Sequence, residues 1–222
     1  MFQARVLALS FLTMVFGADM GWAGAWLRAD GETFLSFSVE TEFENGITDG
    51  SRLYGTVYAE HGLTQNLTLG LDAGGYEEDF GKVIGFLRWP LGVTEGPTKL
   101  ALEFGMGLAN DTFAIRPGIS WGRGISAGDT PGWLSVETRA TIFDGFDGVF
   151  ETDFTIGLKP APKSIILFQL QTGTPSQSDP YAKLAPSYVH EIKPGRHIEL
   201  GLTAGILEDD DFKLKFGFWR RF

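Results

Sequence analysis

Charged residues at alternate positions are the first candidates for chemistry in this chain. In the stretches VETRA and FETDF, Glu137 and Arg139 share one side of an extended chain, and so do Glu151 and Asp153. Carboxylate and guanidinium groups held side by side either bind one another or line a path for ions and polar solutes. The elements that carry them decide between these two outcomes.

Catalysis has weaker support. The chain holds His61, His190 and His197, and a serine hydrolase needs a serine beside one of them. Ser187 and His190 lie three residues apart on an extended stretch, so their side chains point to opposite faces. We therefore predict that the protein is not an enzyme.

Two acidic stretches are candidates for calcium. DGFDG (144–148) and EDDD (208–211) supply carboxylate oxygens, but neither has the ligand spacing of a dedicated calcium loop. Asp-Gly steps are typical of tight turns and acidic tips of solvated ones. We expect no metal site and no cofactor.

The first 23 residues predict an export signal. Arg5 precedes an apolar run from Val6 to Ala18, and small residues follow around Ala23. This layout is that of a secretory signal peptide, cleaved either after Ala23 or after Ala25, and it leaves one domain over 24–222. The alternative, a buried N-terminal helix, lacks an amphipathic face.

Composition limits the possible partners. The 222 residues include 30 Gly, 14% aromatic residues and no Cys, and the formal net charge is −10. An exported chain without cysteine is not a disulfide scaffold. A surface of this charge repels nucleic acid, so no nucleic-acid partner is expected.

The alternation of apolar and polar residues has a period of two almost everywhere. In TKLALEFGMGL (98–108), every second residue is large and apolar, and HIELGLTAGI (197–206) repeats the scheme. Strict alternation over about ten residues indicates strands that cross a bilayer at a tilt. About twelve such segments occur, an even number as in outer-membrane barrels. They start near Thr33, Leu53, Leu67, Lys82, Leu100, Phe113, Trp133, Phe150, Ser164, Lys183, Ile198 and Phe212.

The connections between these segments alternate in character. Odd-numbered connections such as YEEDF (76–80) and LEDDD (207–211) are acidic, whereas even-numbered ones such as KPGR (193–196) are rich in Pro, Gly and Lys. In an up-and-down sheet, successive connections fall at opposite ends, so one rim is predicted to be acidic. The fold class predicted is all-β: a single transmembrane antiparallel up-and-down β-barrel of about 12 strands. A soluble β-sandwich or lipocalin-like barrel is the alternative.

The last strand, FKLKFGFWRRF (212–222), alternates and ends on an aromatic residue. It resembles the C-terminal signal of bacterial outer-membrane β-barrel proteins, with Phe216, Phe218 and Phe222 in the apolar positions, and it departs from that pattern at Arg220. The stretch YAEHGLTQNLTLGLD (58–72) resembles a strand–turn–strand unit of porin-like and transporter-like families. The resemblance implies the outer membrane of a Gram-negative bacterium, contact with its lipid and with the barrel-assembly machinery, and periplasmic termini.

The strand faces then assign the candidate lumen residues. They are Glu40, Asp72, Arg88, Glu103, Arg116, Glu137, Arg139, Glu151, Asp153, Glu199, Lys213 and Lys215. Opposed charges either line a narrow aqueous pore or pair into a closed interior. The first hypothesis is a passive channel for small hydrophilic solutes. The second is a non-conducting structural or accessory barrel of a surface-assembly or polysaccharide-export system. The sequence leaves the oligomeric state open.

Overall fold

The computed structural model describes residues 24–43, 52–77, 79–92, 96–143, 147–207 and 212–222. These residues contain thirteen antiparallel β-strands. The strands are β1 (Thr33–Phe43), β2 (Arg52–Thr64), β3 (Leu67–Tyr76), β4 (Asp79–Pro90), β5 (Thr98–Ala109), β6 (Thr112–Ala127), β7 (Thr130–Phe143), β8 (Gly148–Ala161), β9 (Ser164–Pro175), β10 (Tyr181–Leu184), β11 (Ser187–Lys193), β12 (Arg196–Leu207) and β13 (Phe212–Arg221). None of the described residues forms a helix long and apolar enough to cross a membrane.

The sheet closes into a barrel. Neighbours in the wall follow chain order, and β1 pairs with β13 over ten residue pairs from Phe34↔Arg221 to Phe43↔Phe212. β10 and β11 both lie between β9 and β12, so they are two halves of one wall strand. The wall therefore has twelve strands, as the alternation predicted. Closure satisfies the backbone groups that an open edge would leave unpaired in lipid.

The interrupted wall strand explains a weak stretch of the sequence pattern. β10 and β11 are separated by Ala185 and Pro186, and proline has no N–H to donate to a ladder. The wall stays bonded there, because Ala185 N donates to Gln169 O at 2.9 Å and Leu202 N donates to Pro186 O at 3.0 Å. The break keeps one strand position, and both halves keep the same register with β9, from Tyr181↔Gly173 in β10 to Ser187↔Leu167 in β11.

The outer face of the wall is apolar. In β5, Leu100, Phe104 and Leu108 are 37%, 40% and 54% exposed. Ala101 and Glu103, which occupy alternate positions of the same strand, are buried inside. A soluble barrel would show the opposite arrangement, with the apolar residues inward. The exposed apolar face is therefore a lipid-facing surface.

Large apolar side chains also occupy part of the lumen, which strict alternation did not predict. One buried cluster consists of Phe34, Trp133, Ile165, Leu167, Val189 and Trp219. Wall glycines accommodate such rings: a Cβ at Gly157 would lie 2.2 Å from the Trp133 ring, and one at Gly70 would lie 2.0 Å from the Phe86 ring. Trp133 and Trp219 both face inward and are among the buried rings of this cluster.

The two ends of the barrel differ. Thr33 N donates to Phe222 O at 2.8 Å and Phe222 N donates to Thr33 O at 3.0 Å, so both termini of the wall lie at one end, here called the terminal end. The turns at this end include Gly128 and Gly195 at positive φ. The odd-numbered connections, which were predicted to form the acidic rim, join the strands at the opposite end. Much of that predicted rim, residues 44–50, 144–146 and 208–211, lies outside the described residues.

Candidate functional site: the lumen

Residues 24–28 lie inside the barrel rather than in its wall. Gly24 N donates to Glu137 Oε1 at 2.9 Å, and Arg28 N donates to Thr68 Oγ1 at 3.0 Å. Ala25 and Arg28 are 2% and 5% exposed. Trp26 packs against the apolar cluster around Trp133. This segment, residues 24–28, is called the N-terminal segment below.

Glu103 is the centre of the charged groups in the lumen. Its carboxylate accepts from Arg88 Nη2 at 2.7 Å and from Arg116 Nη2 at 3.2 Å. Arg139 Nε lies 3.7 Å from it. The Glu103 side chain is only 3% exposed. A carboxylate shared by three guanidinium groups ties β4, β5, β6 and β7 together from the inside.

Glu60 forms a second junction nearer the terminal end. Arg28 Nε donates to its Oε2 at 2.6 Å, and Arg88 Nη1 and Tyr58 Oη donate to its Oε1. The side chains of Glu60 and Arg88 are 2% and 1% exposed. Glu60 therefore fastens the N-terminal segment to the wall and to the Glu103 junction through one shared arginine.

Two further groups of charged side chains, one around Asp72 and one around Arg139, reach the cavity. Asp72 Oδ2 accepts from Lys82 Nζ at 2.9 Å and from Arg116 Nη1 at 2.5 Å. Arg139 donates to Glu137 and lies 3.5 Å from Asp153. Lys82 is the most exposed of these side chains, at 37%.

The ten residues joined by these contacts form one electrically balanced set, here called the lumenal network. Its cations and its carboxylates number five each. They are Arg28, Lys82, Arg88, Arg116 and Arg139 with Glu60, Asp72, Glu103, Glu137 and Asp153. Burial of charge is tolerated here because each carboxylate is paired and most are hydrogen-bonded.

The opposite side of the lumen carries fewer charges. Glu199 accepts from Trp219 Nε1 at 3.0 Å and lies 3.3 Å from Lys215 Nζ. Glu151 accepts from Tyr181 Oη at 3.1 Å.

A cavity of about 330 Å³ lies between these two sides. It is bounded by Glu40, Lys82, Arg139, Gln169, Gln171 and Lys215, among others. Its size falls at the lower end of small-ligand sites. The cavity is a polar space within a closed wall, which suits small hydrated molecules.

The structure divides the candidate lumen residues into three groups. Those on the cavity are Glu40, Asp72, Glu137, Arg139, Asp153, Glu199 and Lys215. Those held almost wholly within the lumenal network are Arg88, Glu103 and Arg116, and Glu151 and Lys213 lie on the inner faces of β8 and β13. Their part in conduction stays a prediction.

Sequence reasoning missed Arg28, Glu60 and Lys82 as site residues. Lys82 belongs to a segment whose alternation is weak, because Ile84 and Phe86 after it also face inward. Arg28 precedes the first strand, where strand periodicity carries no information. Glu60 could have been recognised from the alternation in β2, which places it on the inward face two residues after Tyr58.

The outer surface carries a larger concavity of about 560 Å³ beside the break in the wall strand. Ile166, Phe168, Leu200, Leu202 and Phe216 line it. All five side chains point outward from the wall. This groove is therefore part of the lipid-facing surface and not a path for hydrophilic solutes.

The histidines considered above do not line the lumenal cavity of about 330 Å³. His61 Nδ1 is 2.8 Å from Thr33 Oγ1, and His190 Nδ1 is 3.3 Å from Tyr188 Oη. Among the described residues, no group of three His, Cys, Asp or Glu side chains is placed to hold a metal ion. Most of DGFDG and all of EDDD lie outside those residues.

No protein-family model matches the chain, and no curated protein matches it. Solved structures do match in fold. The KdgM porin gives a TM-score of 0.64 at 9% identity, over 84% of this chain and 99% of that chain. The NanC porin gives 0.64 at 7% identity, over 84% and 98%. The COG4313 outer membrane channel from Pseudomonas putida F1 gives 0.58 at 10% identity, over 90% and 99%.

At these identities the likeness establishes the fold. The chain has the closed barrel of the porin structures, and the match extends over nearly the whole length of each. The resemblance inferred from the last strand, to bacterial outer-membrane β-barrel proteins, is confirmed at this level.

Proposed function

We propose that the chain is a passive channel for small hydrophilic solutes in the outer membrane of a Gram-negative bacterium. The observation that carries this proposal is a polar cavity inside a closed barrel whose outer face is apolar. The three solved structures named above, two porins and a channel, support it. Passive conduction needs no catalytic group or cofactor.

The charge balance of the lumen bears on the class of solute. One solved structure holds the KdgM porin with disordered oligogalacturonate. In this chain, the four arginines and the one lysine of the lumenal network are matched by five carboxylates. The lumenal network therefore adds no net field that concentrates anions. Around the cavity itself, carboxylates such as Glu40 and Glu199 outnumber the cations, so we expect small neutral or cationic hydrophilic solutes and a preference for cations.

Orientation and assembly follow from the last strand. Phe216 and Phe222 are 57% and 64% exposed on the outer face, and Arg220 lies over the Phe222 ring at 4.9 Å. An arginine at the end of a strand lies at the membrane interface, where its cost is small. We propose that Phe216, Phe218 and Phe222 contact the barrel-assembly machinery and then lipid, with both termini periplasmic.

A second candidate function has its own supporting observation. The N-terminal segment and the lumenal network occupy part of the lumen, from Glu60 near the terminal end to Lys82 toward the opposite end. A barrel closed in this way serves as a structural or accessory component without conducting. A conductance measurement distinguishes this accessory role from the channel function.

The experiment is single-channel recording in planar bilayers with Lys82→Glu and Lys215→Glu. Both lysines line the cavity and are more exposed than the arginines of the network. Lys163→Glu makes the same charge change in the exposed β8–β9 turn and serves as the control. Discrete steps whose cation preference rises in the two cavity variants, but not in the control, support the channel. Silence from folded, inserted protein favours the accessory role.

A further inference from the structure

The N-terminal segment fits the lumen more closely than a stray end of chain would. Three separate wall residues hold its polar groups: Glu137 accepts from Gly24 N, Thr68 accepts from Arg28 N, and Glu60 accepts from Arg28 Nε. Gly24 and Ala25 are both buried. The segment is thus anchored at two points. Gly24 is held by Glu137 at mid-lumen, and Arg28 is held by Thr68 and Glu60 nearer the terminal end.

The wall leaves room for this segment. A Cβ at Gly122 of β6 would lie 2.3 Å from the Trp26 ring and 2.8 Å from Ala25 Cβ. A Cβ at Gly62 of β2 would lie 1.9 Å from Ala29 O. Real Cβ atoms do not approach other atoms so closely, so Gly122 must be glycine while the segment is docked, and Gly62 must be glycine where the chain leaves the segment at Ala29.

The backbone nitrogen of Gly24 lies among polar groups of the wall. Glu137 Oε1 accepts from Gly24 N at 2.9 Å, and a Cβ on Gly24 would lie 2.6 Å from Glu137 Oε2 and 2.9 Å from Ser120 Oγ. The nitrogen therefore lies beside a carboxylate and a hydroxyl, enclosed by the barrel. A positive charge on this nitrogen would be stabilised by Glu137, whose other oxygen already binds Arg139.

We infer that the mature chain begins at Gly24 and that its α-ammonium group binds Glu137, so that residues 24–28 form a plug in the lumen. A leader peptidase adds water across the Ala23–Gly24 bond, which leaves a carboxylate on Ala23 and an amine on Gly24. That amine is protonated near neutral pH. Cleavage after Ala25, the other site that the sequence allows, would remove Gly24 and Ala25 and both of their buried contacts.

The plug gives the channel a gate. It runs between Glu137 and Glu60 beside the 330 Å³ cavity, so it narrows the path for solutes, and its movement would widen that path. The gating part of this inference rests on the proposed channel function, whereas the docking of the chain end does not.

The start of the chain is tested by mass. The full chain is expressed with its leader, purified from the outer membrane and weighed intact by mass spectrometry. The expected mass is that of residues 24–222. A mass that corresponds to a start at Trp26, or to retention of the leader, overturns the assignment of Gly24.

Docking is tested by a disulfide, because the natural chain has no cysteine. Gly24→Cys with Ser120→Cys is the test pair, because a Cβ on Gly24 would lie 2.9 Å from Ser120 Oγ, near the separation that a disulfide needs, and its close neighbours are the ends of flexible side chains. Gly24→Cys with Ile119→Cys is the matched control, since Ile119 lies on the outer face of the same strand. Crosslinking in the first pair alone supports docking. Absence of crosslinking, or equal crosslinking in both pairs, overturns it.

Gating is tested by conductance of the crosslinked protein before and after reduction. A several-fold rise on reduction supports the gate, and equal conductance in the two states overturns it. Glu137→Gln keeps the shape of the side chain and removes its charge, so it is expected to raise conductance without a cysteine. Silence in every state refutes both the channel function and the gate, while the crosslink still decides docking.

Discussion

Replacement of Glu103 by Gln tests whether the lumenal network holds the barrel together. Glu103 is 3% exposed and faces Arg88, Arg116 and Arg139 at 2.7, 3.2 and 3.7 Å. Loss of one partner from a buried ion pair costs about 3–5 kcal/mol. Each arginine keeps a second carboxylate, so we expect a loss of about 3 kcal/mol, roughly a 100-fold change in the unfolding equilibrium.

The assay is reversible denaturant unfolding in phospholipid vesicles, followed by tryptophan fluorescence. Glu40→Gln is the matched control, because Glu40 is a half-buried lumenal carboxylate for which the described residues show no ion pair. A loss below about 1 kcal/mol for Glu103→Gln, as small as that of an exposed pair, would refute the reasoning. It would mean that the arginines find equivalent partners or water in the lumen.

Two further predictions concern packing and assembly. Gly157→Ala places a methyl group 2.2 Å from the fully buried Trp133 ring and is expected to lower the free energy of unfolding by about 1–3 kcal/mol. Gly55→Ala, whose nearest neighbour is 3.9 Å away, should leave it nearly unchanged in the same unfolding assay. Phe222→Ala is expected to lower the fraction of exported protein that runs as folded barrel on an unheated gel, while protein refolded in vitro keeps its stability. An equal loss in both preparations would assign Phe222 to stability rather than to assembly.

Strand placement followed closely from the sequence because the two solvents of the wall impose a period of two. The predicted segment starts agree with the structure to within about three residues, as expected for boundaries. The segment near 182–192, which alternates poorly, proved to be the wall strand broken at Ala185 and Pro186. A break of this kind disturbs the pattern without removing a strand, so the even count survived.

The interior was less predictable, since inward parity does not say which partner a side chain finds. Arg116 and Arg139 were candidate pore charges on equal terms, yet Arg116 is buried against Glu103 and Asp72 while Arg139 also faces the cavity. The apolar interior residues Phe34 and Leu167 stand at positions where alternation predicts polar ones. These outcomes depend on which strands face each other across the lumen.

The sequence by itself determined a closed membrane-type barrel of about twelve strands and the face of the residues in the strands that alternate strictly, because hydrocarbon on one side requires an apolar residue at every second position. Only the tertiary structure decided that the lumenal charges pair into a balanced network and that residues 24–28 fold back among them. Such contacts join positions as far apart in the sequence as Gly24 and Glu137. A local sequence pattern does not show which distant side chains face each other once the barrel has closed.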